Sequence, residues 1–311
     1  MSDPLHVESA RWPFLFVLDA RDRQTGWALL NGPIVTPSQH EQFVGLRCAR
    51  YRFIGISSYF DFPRGFSRDG LDYEMVCDAW CHCFRDPDRF LRSPLPRALI
   101  SVSDFTNCEQ IAPGRIDRPP DAGRCDVVYV GAAEDWKRDV KNWDLAAQAI
   151  PRLCHALNLT TLVIGTPTPD FQASERVTFS AALPWKVLLS YMAAARFVFV
   201  PNVTDPSPRI IAESLCLDTP VLMHREILGG WKYVNTYTGR FFDDATNVVE
   251  AARALCSAPV SPRRWFRANY GPYHAGRRLL ALVRSLDPSL GERSHLQISE
   301  CVPEPVPDTS R

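Results

Sequence analysis

The chain has 311 residues, 46% of them hydrophobic and 23% charged, and its 35 Lys and Arg balance 35 Asp and Glu to a formal net charge of zero. That length accommodates two compact domains, and the composition is that of an ordinary globular protein. A zero balance argues against a protein that coats nucleic acid or lies on an anionic membrane, since both need a basic excess.

From the N-terminus, MSDPLHVESARW has no basic flank, and the first apolar run, 13–18, is too short for a secretory signal. No stretch approaches the roughly 20 apolar residues of a membrane span. The runs 14–18, 52–57 and 98–103 read as strands, the first and third followed by Asp19 and Asp104. Turn-rich stretches at 61–65 and 92–94 lie between them, so residues 1–120 are expected to form a small, irregular α/β domain. Residues 113–123, with Pro119, Pro120 and Gly123, read as a linker.

Residues 121–270 are more regular. Short apolar runs at 126–131, 160–165, 177–179, 196–201 and 219–223 predict buried strands. Helical spacing at 142–157, 184–195 and 207–217 predicts helices between them, the last with Ser207 as N-cap and Pro208 at N1. Such alternation predicts a parallel sheet covered on both faces, a Rossmann-like α/β domain. Ligands of these sheets bind at the carboxyl ends of the strands, which directs attention to the loops after Gly131, Gly165, Pro201 and Met223. A helix pair is expected over 265–286, with 271–287 forming a C-terminal helix, and 288–311 reads as a disordered tail.

The densest chemistry lies in 201–215, PNVTDPSPRIIAESL. A strand ends, a loop bears Asp205, and a helix carries Glu213. The free N–H groups and dipole of a helix start favour an anion beside them, a nucleotide diphosphate among others. Glu213 then has the reach to accept hydrogen bonds from ribose hydroxyls.

At these residues the chain resembles the family-four retaining glycosyltransferases of GT-B fold. Their mark is two acids with seven residues between, ahead of a Leu-rich helix and a G-x-P-V strand; here the match reads Asp205, then Glu213-Ser-Leu-Cys-Leu-Asp-Thr-Pro-Val-Leu222. The resemblance implies that Asp205 contacts the donor sugar and Glu213 holds the ribose, and that Gly229-Gly230 let bare backbone approach the donor. It also implies a basic pair after Gly131 for the diphosphate. Ala132 stands where the family has Arg, which leaves Lys137, Arg138 or Lys141 for that role, with Lys141 the best match to the family Lys. Arg209, at the head of the acidic helix, joins the expected donor-binding set. Two further departures are Asp205 in place of Glu and Asp218 in place of Gly. The likeness spans about 125–285 and extends to short glycosyltransferase-like proteins of large DNA viruses and protists. It implies two Rossmann-like domains facing a cleft, the N-terminal one small and atypical, and sugar transfer from a nucleotide-sugar co-substrate. No further cofactor and no metal are expected. The acceptor, whether glycan, lipid or protein, stays open, and the location is expected to be cytoplasmic, without nucleic acid or transmembrane segment.

Plainer readings stand beside these. Glu213 is spaced to pair with Arg209 on an exposed helix face. Ten cysteines are scattered, and only Cys77, Cys81 and Cys83 cluster. With His82 they suggest zinc, but no second ligand pair accompanies them, and reduced thiols are the expectation. His82 and Asp104 are acid–base candidates, and Tyr59, Phe60 and Phe62 suit either a sugar platform or the core. The sequons at Asn158 and Asn202 lack a secretory context. No G-x-G-x-x-G, P-loop, nucleophile elbow or H-E-x-x-H is present. The alternative function is a non-catalytic nucleotide-sugar or glycan-binding module, a decayed transferase.

Overall fold

The apolar run beginning at Phe14 forms strand β1 (Phe14–Asp19), which turns back as the antiparallel β2 (Gln24–Leu30). Asp19 organises that turn: its carboxylate accepts the N–H groups of Arg21 at 2.8 Å and Arg23 at 3.1 Å. Burial alone would raise its pKa, but these bonds and the Arg23 side chain outweigh it and hold the group at about 2. The computed structural model describes residues 10–300 apart from 59–61, 64–69, 93, 117–124, 132–134, 169–170, 172–173 and 292. Most of the expected linker, Ala132, Tyr59 and Phe60 therefore lie outside the described residues.

Helix α1 (Pro37–Cys48) starts at a capping box, with Thr36 Oγ1 accepting Gln39 N–H at 3.2 Å and Gln39 Oε1 accepting Thr36 N–H at 3.0 Å. Then follow β3 (Arg52–Ile56), a single turn α2 (Tyr73–Val76), β4 (Ala79–His82) and β5 (Arg97–Leu99). The cysteine cluster thus lies on and beside an interior strand: β4 is buried along its whole length and pairs with β3 and β5. His82 stacks on Phe84 at 6.1 Å. Among the described residues no three His, Cys, Asp or Glu side chains gather to hold a metal. Phe62 is fully buried against Tyr73 and Trp80, a core role rather than a sugar platform. Asp104 does not end a strand. It sits fully buried in a 3-10 turn, Val102–Phe105, and accepts from the N–H of Ser101 at 3.2 Å.

The second unit spans Thr106–Gly271. Its boundary falls before the expected 120/121 because Cys108 and Ile111 bury themselves in its core. Strands β6 (Val127–Val130), β7 (Thr161–Ile164), β8 (Val177–Ser180), β9 (Phe197–Val200), β10 (Val221–His224) and β11 (Gly239–Phe242) all pair in parallel, in the order β8-β7-β6-β9-β10-β11. Counted along the chain this is 3-2-1-4-5-6, the doubly wound order, with its switch point between β6 and β9. The helices are α3 (Asp135–Lys141), α4 (Trp143–Leu157), α5 (Trp185–Ala194), α6 (Arg209–Cys216), α7 (Val248–Cys256) and α8 (Pro262–Asn269).

Strand side chains alternate between the two faces. Val128, Val198, Val200, Val221 and Met223 join Leu189 and Met192 of α5 and Ile211 and Leu215 of α6. Val127, Tyr129, Phe197, Phe199 and Leu222 join Ala146, Ile150 and Leu153 of α4 and Val248 and Ala252 of α7. Helices on both faces explain why these strands read as unbroken apolar runs.

The chain then returns to the first unit, which comprises Met1–Phe105 and Pro272–Arg311. Helix α9 (Pro272–Arg284) buries Leu279, Leu280, Leu282 and Val283 in that unit's core. The described residues between 288 and 300 depart from the expected disordered tail. Pro288–Leu290 form a 3-10 turn, and β12 (Leu296–Ile298) pairs antiparallel with β1, Asp19 facing Leu296. The cause is fit: Leu296 is fully buried, and a Cβ at Gly276 would lie 1.7 Å from its carbonyl oxygen, so the bare α9 backbone packs on β12. The first sheet is therefore β12-β1-β2-β3-β4-β5, parallel from β2 to β5. Among the described residues no helix is long and apolar enough to cross a membrane.

Candidate functional site

The carboxyl ends of β6 and β9 meet at the switch point of the second sheet, and the chain leaves both strands there. After β6, Gly131 turns where a Cβ would lie 2.9 Å from the Tyr129 ring and 3.2 Å from the Ile164 carbonyl. Helix α3 follows and ends at Lys141. Asn142 then takes a left-handed conformation, φ 53°, that separates α3 from α4. Two bonds fix this corner: Tyr129 Oη donates to the Lys141 carbonyl at 3.1 Å, and Asn142 Nδ2 donates to the Pro201 carbonyl at 3.0 Å. The second ties the α3–α4 junction to the end of β9.

The same corner brings two sequence-predicted residues into contact. Lys141 Nζ lies 2.7 Å from Asp205 Oδ2, with the side chains 22% and 10% exposed. Asp205 is held from three directions, because Asn202 Nδ2 donates to Oδ2 at 2.9 Å and the Ser207 N–H donates to Oδ1 at 3.2 Å. Asn202, the second sequon residue, is thus buried inside the chain's own network. A cation from β6's side and an anion from β9's side close over the switch point as one charge-assisted bond.

Helix α6 begins one residue later than expected for Pro208 at N1. Pro208 stands at the N-cap in an extended conformation, ψ 103°, and no side chain caps the helix. Ser207, the expected cap, instead gives its N–H to Asp205. Arg209 is the first helical residue and is exposed. Glu213 lies half-buried one turn on, and its Oε1 accepts the indole N–H of Trp185 at 3.0 Å. Burial raises the Glu213 carboxyl above its ordinary value, and the Trp185 bond and the Arg209 charge oppose that rise. Glu213 therefore has partners separate from the Lys141–Asp205 pair. Trp185, 49% exposed, is the site residue that sequence reasoning missed. Its one visible signal is an aromatic directly after the helix-starting Pro184.

Gly229 and Gly230, after β10, pack against the Asp205 loop. The Gly229 N–H donates to the Asp205 carbonyl at 3.1 Å, and the Leu228 N–H to the Val203 carbonyl at 2.7 Å. A Cβ at Gly229 would fall 1.6 Å from the Pro206 carbonyl oxygen, and Gly230 has φ +81° with Ile211 2.7 Å from its missing Cβ. The space these glycines leave is filled by the chain's own loop and helix. Of the remaining basic candidates, Arg138 Nη2 reaches toward the Thr166 carbonyl at 3.5 Å, beyond the end of β7. Lys137 lies on α3, its side chain outside the described residues.

Residues 124–258 match the family described as "Glycosyl transferases group 1", so this segment is a glycosyltransferase domain. The sucrose-phosphate synthase of Thermosynechococcus elongatus is 16% identical, with a TM-score of 0.55 over 79% of this chain and 71% of that one. Anabaena HepE, solved in complex with UDP and glucose, is 12% identical, with a TM-score of 0.56 over 82% and 76%. An alpha,alpha-trehalose-phosphate synthase (UDP-forming) from Burkholderia xenovorans, solved with glucose-6-phosphate, is 14% identical, with a TM-score of 0.53 over 78% and 67%. At these identities the structures establish the two-domain GT-B fold. Among curated proteins nothing matches the chain.

Proposed function

We infer that this chain, through its glycosyl transferases group 1 domain, moves a sugar from a nucleoside-diphosphate donor held at the switch point of the second sheet. The observation that carries the reading is the Lys141–Asp205 pair where β6 and β9 diverge, 2.7 Å from nitrogen to oxygen. Doubly wound sheets bind nucleotides at this place. Lys141 is the cation for the diphosphate, assisted by Arg209 and the uncapped N–H groups at the start of α6. These groups stabilise the charge that develops on the leaving diphosphate, so the proposed transfer runs without a metal. Asp205 faces the donor sugar. Glu213, its Oε1 oriented by Trp185, accepts hydrogen bonds from the ribose hydroxyls. Retention of anomeric configuration follows the family resemblance. All nine described cysteines are free thiols, which suits a reducing compartment such as the cytoplasm.

A second reading, a binding module that no longer transfers, is favoured by one observation: Ala132 occupies the position where the resembled enzymes carry Arg. The test is a thermal-shift screen of the full chain against UDP, GDP, ADP, CMP and their common sugar conjugates, with and without magnesium, followed by turnover of any donor that binds. Ligand that binds the folded state raises the melting point by mass action. A shift with one nucleoside diphosphate, indifferent to magnesium, is expected. In Glu213→Ala its affinity should fall by about 2–4 kcal/mol, or roughly 30- to 700-fold, for two charge-assisted hydrogen bonds. Unchanged affinity in Glu213→Ala removes Glu213 from the site. Binding without turnover of any donor selects the second reading.

A further inference from the structure

Away from the donor residues, the second unit presses two thiols together. Cys108 lies in a turn near the start of the unit, and Cys216 is the last residue of α6. Their sulfurs are 2.8 Å apart, and the residues are 6% and 0% exposed. A disulfide has its sulfurs roughly 2.05 Å apart, so closure requires them to move together by less than about 1 Å. The surroundings are basic. Arg263 Nη1 donates to the Ile111 carbonyl at 2.9 Å and also to the Cys216 carbonyl, and Arg267 stands 3.1 Å from Glu109, next to Cys108 in sequence. The hydrogen bond from Cys216 and the two guanidinium charges lower the Cys108 thiol against the opposing effect of burial, while Cys216 is raised. Cys108 is thus the more readily ionised sulfur of the two and has slight access, and Cys216 is its less readily ionised neighbour with none.

We propose that Cys108 and Cys216 are an oxidisable thiol pair that hydroperoxides close into a reversible disulfide, fastening the 106–111 segment to the C-terminal end of α6. The Cys108 thiolate attacks one peroxide oxygen, the O–O bond breaks, and hydroxide or alkoxide leaves with the electron pair. Cys108 becomes a sulfenic acid. The Cys216 sulfur then attacks the Cys108 sulfur, the S–O bond breaks, and the departing oxygen leaves as water with the Cys216 proton. Two electrons pass from the thiols to the peroxide, and a small dithiol reverses the reaction by exchange. Hydrogen peroxide is small enough for the access that Cys108 retains. The chemistry is independent of sugar transfer, so its test stands apart from the donor screen.

The native full-length protein is treated with dilute hydrogen peroxide, alkylated, digested and mapped by mass spectrometry with and without prior dithiothreitol. The expected result is a cross-linked peptide joining Cys108 to Cys216, two hydrogens lighter than its parts and lost on reduction. Cys108→Ser and Cys216→Ser should each abolish it. The double variant Cys48→Ser/Cys256→Ser, which removes the two thiols exposed among the described residues, should still form it. Recovery of Cys108 and Cys216 as free thiols after peroxide overturns the proposal. So does Cys108 stopping at sulfinic acid, or loss of the link in the double variant.

Discussion

Asp205→Asn separates the two roles assigned to the switch-point pair. The substitution keeps the shape of the side chain and an oxygen for the Ser207 N–H, but it removes the charge that neutralises Lys141 at 2.7 Å. An amide nitrogen facing Lys141 and Asn202 should cost about 1–2 kcal/mol of stability, read in urea unfolding. A phosphate oxygen bound to the far side of Lys141 would lie about 6 Å from the Asp205 carboxylate, where two unit charges repel by ~0.7 kcal/mol in water and ~3 kcal/mol at a protein surface. Removing that repulsion should tighten nucleoside-diphosphate binding at least about threefold in calorimetry, with the gain shrinking at high salt. Turnover of the sugar donor should fall by about 100-fold or more, the usual loss when one electrostatic contact to the reacting centre is deleted. Affinity and turnover therefore move in opposite directions. If the two fall together after correction for the fraction folded, Asp205 only holds the loop. If turnover is unchanged, Asp205 does not face the sugar.

Trp185→Phe removes the indole N–H from Glu213 and should weaken nucleotide binding by about 1 kcal/mol, roughly fivefold, with little change in melting temperature because the side chain is half exposed. Calorimetry against the identified nucleotide checks it. Burial raises the Glu213 carboxyl, so the folded chain holds that proton more tightly than the unfolded chain. Its contribution is most favourable below the ordinary glutamate range and declines as pH rises through the raised folded value. Glu213→Gln should remove that decline, seen by comparing unfolding free energies of the two proteins across acidic pH. Gly229→Ala places a methyl group 1.6 Å from the Pro206 carbonyl oxygen, where backbone must move. It should destabilise the protein by about 3 kcal/mol or more, measured by chemical denaturation.

The two units differed in legibility for a physical reason. In Thr106–Gly271 the interior strands are covered on both faces, so β6, β7 and β9 appear as unbroken apolar runs. In the first unit β4 is four residues long and reads AWCH, which suggests metal chemistry sooner than a strand. β12 is three residues long, and nothing local distinguishes it from a tail; only its pairing with β1 and the bare Gly276 hold it. Among the candidate residues, Asp205 and Glu213 stood out because two acids about a helix start form a local pattern, whereas Lys141 was one of three basic candidates, preferred only through the family resemblance. The contact between Lys141 and Asp205 spans 64 positions, and the glycines' packing on Pro206 depends on the distance between two loops. Neither distance is encoded in a neighbouring residue. Trp185 was missed for the same reason, since its partner lies 28 positions away.

The hydrogen bonds around Asp205 also explain how an ion pair that neutralises the proposed site remains compatible with binding a diphosphate. Were Lys141 the carboxylate's only partner, diverting the ammonium to phosphate would strand a charge that is 10% exposed, at a cost of several kcal/mol. Asp205 instead keeps Asn202 Nδ2 on one oxygen and the Ser207 N–H on the other, so its anion stays bonded when Lys141 turns away. Lys141 is anchored through its backbone, where Tyr129 Oη binds its carbonyl, and this leaves the side chain to reorient without disturbing the α3–α4 corner. In the proposed function, the neutral pair of the free protein thereby supplies a cation for the leaving diphosphate and an anion beside the departing sugar.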